Sequence, residues 1–181
     1  MAISSINLPA PSGTAKTQSG SFTTDAAGDL TAALTAGAGV NETILRIATT
    51  AGFLGGDIIT VPGAWFSAGD LNTPVLGVAL QSGGQLTISN PAIVTGVASG
   101  TPISKWNQLP VAGQPKHVRA TRRDNGDFFD WVAGMEPFSA NTSIGGTVAL
   151  LSKVMLCQAG AVHFGPGILV ASQTYDIVID Y

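Results

Sequence analysis

Residues 117–132 read HVRATRRDNGDFFDWV, a run that gathers arginines, acids and aromatic rings in a chain otherwise poor in charge. The stretch reads as a β-hairpin. Asp124-Asn125-Gly126-Asp127 supplies the turn, because Asn and Gly tolerate the positive φ of a tight hairpin and alternating apolar residues flank them. With Asn125-Gly126 as a two-residue loop, Arg123 faces Phe128, Arg122 faces Phe129, Thr121 faces Asp130, Ala120 faces Trp131 and Arg119 faces Val132. One side then carries Val118, Ala120, Arg122, Phe129, Trp131 and Ala133, with the rings toward a core and Arg122 stacked over one of them. The other carries Arg119, Thr121, Arg123, Phe128, Asp130 and Val132, with Asp130 diagonal to both Arg119 and Arg123.

Outward from the hairpin the same period of two recurs. The closing YDIVIDY, residues 175–181, puts Tyr175, Ile177, Ile179 and Tyr181 on one face and Asp176, Val178 and Asp180 on the other. Strands are predicted at 43–49, 57–61, 75–80, 85–89, 92–97, 102–106, 147–157, 161–164 and 168–172, broken by glycine turns. The run DLTAAL, residues 29–34, followed by Gly37, reads as a short helix with Asp29 as its N-cap. Many short strands and 23 glycines predict an all-β fold, an antiparallel β-sandwich or barrel with at most one short helix. Residues 1–28 are polar, with few large apolar side chains beyond Ile3, Ile6, Leu8 and Phe22. They are predicted to form an extended N-terminal arm, and residues 29–181 a single β-rich domain that folds without it.

Charged residues make up 10% of the 181, against about 25% in ordinary soluble domains. From Leu71 to Ser104 there is none. Exposed strand edges are normally guarded by charge, so a long uncharged β region implies cover by other subunits. No stretch is apolar enough for a membrane helix, and the N-terminus lacks the pattern of a secretion signal. The expected site of synthesis is a cytoplasm.

Nucleic-acid binding finds a foothold in the five of eight basic residues that fall between Lys105 and Arg123, beside aromatic rings. Asp124, Asp127 and Asp130 cancel that charge at once, and the net charge is −3. Catalysis lacks an inventory. His117 and His163 stand in no metal-ligand spacing, and no nucleophile or phosphate-loop motif is present. Cys157, the only cysteine, sits in apolar VMLCQ and reads as a small core side chain. A glycosidase-like pair among Asp25, Asp57, Asp127 and Glu136 is not visible from spacing. No enzyme activity, cofactor or metal is therefore expected. Trp65 and Trp106, beside turn residues, are placed either to stack on sugar or to cap a core.

The proline-containing MAISSINLPAPSG (1–13), SFTTDAAGDLTAAL (21–34), the uncharged LNTPVLGVALQSGG (71–84) and TYDIVIDY (174–181) together resemble bacteriophage virion proteins. Capsid decoration, or cement, proteins are the nearest class; tail-tube subunits and tail or head-fibre components, some of them receptor-binding, share the texture. The resemblance implies residence in the virion after synthesis in the host cytoplasm. It also implies contact with the major capsid protein or other virion proteins, and a homo-oligomer, usually a trimer. On this reading Ile3, Ile6 and Leu8 anchor the arm on a neighbour, while Arg119, Arg123 and Asp130 make subunit contacts.

Overall fold

A computed structural model describes residues 3–11, 16–64, 79–81, 83–88, 93, 95–133 and 155–181. Among these residues the regular structure is all β-strand, and every strand pairing is antiparallel. In chain order the first strands are β1 (Ile3–Asn7), β2 (Thr17–Thr24), β3 (Thr31–Ala33), β4 (Ile44–Arg46) and β5 (Ile59–Thr60). Next come β6 (Ala79–Gln81), β7 (Gln85–Thr87), β8 (Pro102–Lys105), β9 (Asn107–Pro110) and β10 (His117–Arg122). The last are β11 (Phe128–Val132), β12 (Met155–Gln158), β13 (Ala161–Phe164) and β14 (Thr174–Asp180).

The chain divides into two compact units, Met1–Gly28 with Asn107–Tyr181, and Asp29–Trp106. This corrects the division into an arm and one domain of residues 29–181. The first unit is a sandwich of a five-stranded sheet, β1-β2-β14-β10-β11, and a three-stranded sheet, β12-β13-β9. Its core follows from the alternation of its strands: Phe22 of β2, Tyr175, Ile177 and Ile179 of β14, Val118 and Ala120 of β10, and Phe129 and Trp131 of β11 all point inward. Leu109, Met155, Cys157, Val162 and Phe164 of the smaller sheet complete the cluster. Phe22 stacks on Tyr175 with ring centroids 5.2 Å apart. Ile168 and Leu169, expected in a strand, enter this core from turns, with Gly167 and Ser172 at φ +76° and +58°.

In the second unit two three-stranded sheets, β3-β8-β5 and β4-β7-β6, share a core that includes Leu34, Leu45, Ile47, Ile59, Leu86 and Ile103. The expected hairpin over 75–89 is present as β6 and β7, with Gln81 opposite Gln85; residues 75–78 lie outside the described residues. The helix expected at Asp29–Leu34 is instead β3, paired with β8, followed by a bridge from Leu34 to Ile47. The segment also satisfies a period of two, with Leu30, Ala32 and Leu34 packed inward and Thr31 and Ala33 exposed. Long-range pairing overrides its weak local helical preference.

Residues 1–28 are the other correction. β1 pairs with β2, and β2 lies along β14, joining Thr17 to Asp180 and Thr23 to Thr174. Past β1 the chain turns inward beneath β2, where Leu8 packs on the core and the Gln18 side-chain amide donates to the Pro9 carbonyl at 2.8 Å. Gly20 makes room for this crossing, since a Cβ there would collide with the Asn7 carbonyl oxygen. Backbone pairing and one glycine hold what side-chain burial alone would not. Removal of residues 1–24 would strip β14 of a neighbouring strand and the core of Phe22, so these residues are not a dispensable arm. Gly20→Ala is expected to lower the free energy of unfolding by about 1–3 kcal/mol, read as a lower urea midpoint.

Candidate interaction surface

The five-stranded sheet turns one face to the core and the other outward. Register fixes which outward side chains are neighbours. His117 lies opposite Asp180 on one side and Val132 on the other, Arg119 opposite Val178 and Asp130, and Thr121 opposite Asp176 and Phe128. On β2, Thr17, Ser19 and Ser21 continue these three rows beside Asp180, Val178 and Asp176.

The hairpin register differs from the one expected. The turn spans Arg123–Gly126, closed by Arg122 N–H to Asp127 O at 2.7 Å and Gly126 N–H to Arg122 O at 2.9 Å. A two-residue loop of the primed type needs positive φ at both central residues, and in this turn only Gly126 adopts it, at +77°. Asn125 turns the chain through its side chain, which binds both the amide and the carboxylate of Asp127. The slip is by two residues, so each side chain keeps its predicted face but changes partner. Asp130 now faces Arg119 directly and grips it through two hydrogen bonds, 3.3 and 3.1 Å long. Arg119 also lies 4.6 Å over the Phe128 ring. Arg123, expected near Asp130, is instead clasped by Asp176 of β14, at 2.6 and 2.9 Å. Arg122 is drawn into the turn by Asp124 at 2.5 Å rather than lying over a core ring.

His117 is the residue that sequence reasoning undervalued. Its Nε2 lies 2.6 Å from Asp130 and its Nδ1 3.2 Å from Asp180. Asp180 also accepts from the Thr17 hydroxyl at 2.6 Å. Burial pushes the Asp130 carboxyl up, but hydrogen bonds from Arg119 and His117 outweigh it and hold the group below the usual range. Hydrogen bonds from Thr17 and His117 do the same for Asp180. The available signal was the alternation of YDIVIDY, which places Asp176 and Asp180 on the outer face, but nothing local shows that β14 lies beside β10.

The other predicted residues fall as follows. Ile3 and Leu8 pack against the core of their own unit, while Ile6, 45% exposed, points out from the edge strand β1. Trp106 is 1% exposed, its Nε1–H bonded to Thr60 at 2.9 Å, so of the two alternatives for that ring it takes the core position and not sugar stacking. Trp65 and Glu136 lie outside the described residues. Cys157 is buried in the first core and burial pushes its thiol well up, as befits a core side chain. Asp57 is buried, bonded to the Leu54 amide and 2.8 Å from Lys105. Asp25 accepts from the Ala27 backbone amide of its own turn, and the Asp127 carboxylate accepts from the Asn125 side-chain amide. Among the described residues no cluster of His, Cys, Asp or Glu could hold a metal ion, and no helix is long and apolar enough to cross a membrane.

The fold and this face define an all-β protein whose outer sheet carries an ionic network closed within one chain. The sequence matches no protein-family model, no curated protein and no solved structure. For the buried indole, Trp106→Phe is expected to lower unfolding free energy by about 1–3 kcal/mol in denaturant titrations. The same substitution should leave the protein's behaviour on a glycan array unchanged.

Proposed function

We propose that the protein is a bacteriophage virion component of the capsid decoration type, which acts by occupying a place between neighbouring subunits. The observation that carries this reading is how sparse the charge is and how much of it is paired within the chain. Only 10% of residues are charged, and every arginine is engaged by a carboxylate of the same chain: Arg46 by Glu42, Arg119 by Asp130, Arg122 by Asp124 and Arg123 by Asp176. A surface of hydroxyl, amide and small apolar groups does little to keep a free molecule dispersed and is suited to cover by other chains. The paired arginines also weigh against a phosphate backbone as partner, since each guanidinium already holds an anion.

The proposed place of contact is the outer edge of β1. This strand closes one side of the five-stranded sheet, Ser4, Ser5, Ile6 and Asn7 are exposed on it, and it carries no charge to guard the edge. A strand of the major capsid protein, of another virion protein or of a second copy in a trimer would extend the sheet there through main-chain hydrogen bonds. This replaces a strap laid on the neighbour: β1 stays in its own sheet and presents the side that, among the described residues, no strand pairs. Binding across a junction stabilises the assembled form by mass action.

Particles sedimented from a lysate of the producing host are expected to contain the chain at stoichiometric copy number by mass spectrometry. Finding it only among unassembled proteins would exclude the reading. Ile6→Lys, which adds the missing edge charge, is expected to leave the unfolding midpoint unchanged and to reduce particle occupancy severalfold. Equal occupancy would remove β1 as the contact.

A further inference from the structure

On the outer face one imidazole meets two carboxylates from two other strands. His117 of β10 directs Nε2 at Asp130 of β11, 2.6 Å away, and Nδ1 at Asp180 of β14, 3.2 Å away. An ionised carboxylate only accepts hydrogen bonds, and a neutral imidazole has a single N–H to give. The imidazolium alone satisfies both contacts; a neutral ring leaves one nitrogen lone pair facing an oxygen lone pair. The two sides are unequal. Asp130 is closer, 25% exposed, and fixed by the Arg119 guanidinium. Asp180 is farther, 43% exposed, and already accepts from Thr17 at 2.6 Å.

We propose that His117 is a proton-dependent staple: charged, it ties β11 to β14 across β10, and neutral, it keeps its Nε2–H on Asp130 and releases Asp180 to Thr17 and water. Every packed element contributes to the balance. β10 itself supplies Arg119, which shares Asp130 with the ring, and Lys116 just before it; β11 supplies Asp130 and the apolar Val132; β14 supplies Asp180 and Val178; β2 supplies the neutral Thr17, with Lys16 just before it. Burial pulls the ring's pKa down, but hydrogen bonds to Asp130 and then Asp180 outweigh it, leaving the pKa above 6.5. A histidine raised in the folded state contributes stability fully below its unfolded value, about 6.5, and loses it as pH rises through the folded value. The staple is therefore closed in acid and opens on the alkaline side.

The test is a pH titration of the two imidazoles of the full chain by ring nitrogen NMR, with His117→Gln assigning the signals. The expected His117 midpoint lies above 6.5, with both nitrogens protonated below it and the Nε2–H tautomer above it. Asp130→Asn and Asp180→Asn should each lower the midpoint, Asp130→Asn by more. In the wild type, the protection of the amide protons at the end of β14, taken relative to the intrinsic exchange rate at each pH, should fall severalfold through that midpoint, and in His117→Gln it should not. A midpoint at or below 6.5, an Nδ1–H tautomer in alkali, a midpoint unmoved by Asp180→Asn, or exchange with the same pH dependence in both proteins would each overturn the proposal.

Discussion

The first unit depends on β14 being held from both sides. β14 pairs with β2 along Thr174–Asp180 and with β10 along Tyr175–Asp180, so its main chain is satisfied by two strands that are themselves far apart in the sequence. Its inward residues Tyr175, Ile177 and Ile179 are almost wholly buried, and burying such side chains contributes about 1.5–3 kcal/mol each. Its outward residues Asp180 and Asp176 take His117 of β10 and Arg123 of the turn that follows it. One strand thus sets the core, the register of the hairpin and the partners on the outer face. Without β14 between them, β2 and β10 would not share a sheet.

Charge in this protein is organised rather than merely scarce. Asp130, Asp176 and Asp180 stand one strand away from Arg119, Arg123 and His117, so the outer face alternates in sign across strands. Pairs this exposed add little to stability. Their effect is on register, because a slip of one residue would turn the acids into the core and the apolar residues to solvent. The same closure leaves β1, which has no ionic group, as the part of the sheet least defended against another strand.

Much of this was legible in the sequence where one face of a strand is buried and the other is wet. YDIVIDY, the two arms of the hairpin and Ala161–Phe164 all declare themselves by alternation or an apolar run between turns, and each is a strand. β2, TQSGSFTT, does not: apart from Phe22 its inward positions are Gln18 and Thr24, which are buried although polar, and the half-buried Gly20, which the chain past β1 crosses. Trp106 could not be placed because a ring beside a turn looks the same in sequence whether it caps a core or faces solvent. The partners of Arg123 and His117 were hidden for another reason. Asp176 and Asp180 lie far along the chain, and only the strand order brings them near. The hairpin's faces survived an error of two residues in its turn, since an even slip preserves the pleat.

The placement of β2 beside β14 has a cost in time. Thr17 and Asp180 are 163 residues apart, and a ribosome adding about 5–20 residues per second needs on the order of ten seconds or more to deliver the second after the first. During that interval β1 and β2 have emerged from the ribosome without the strand that completes their sheet. The unit Asp29–Trp106 draws its contacts from a continuous stretch and is under no such delay. A nascent chain should therefore hold a finished middle while its first strands wait, and that waiting period is when chaperones, or premature pairing with another copy, would find it.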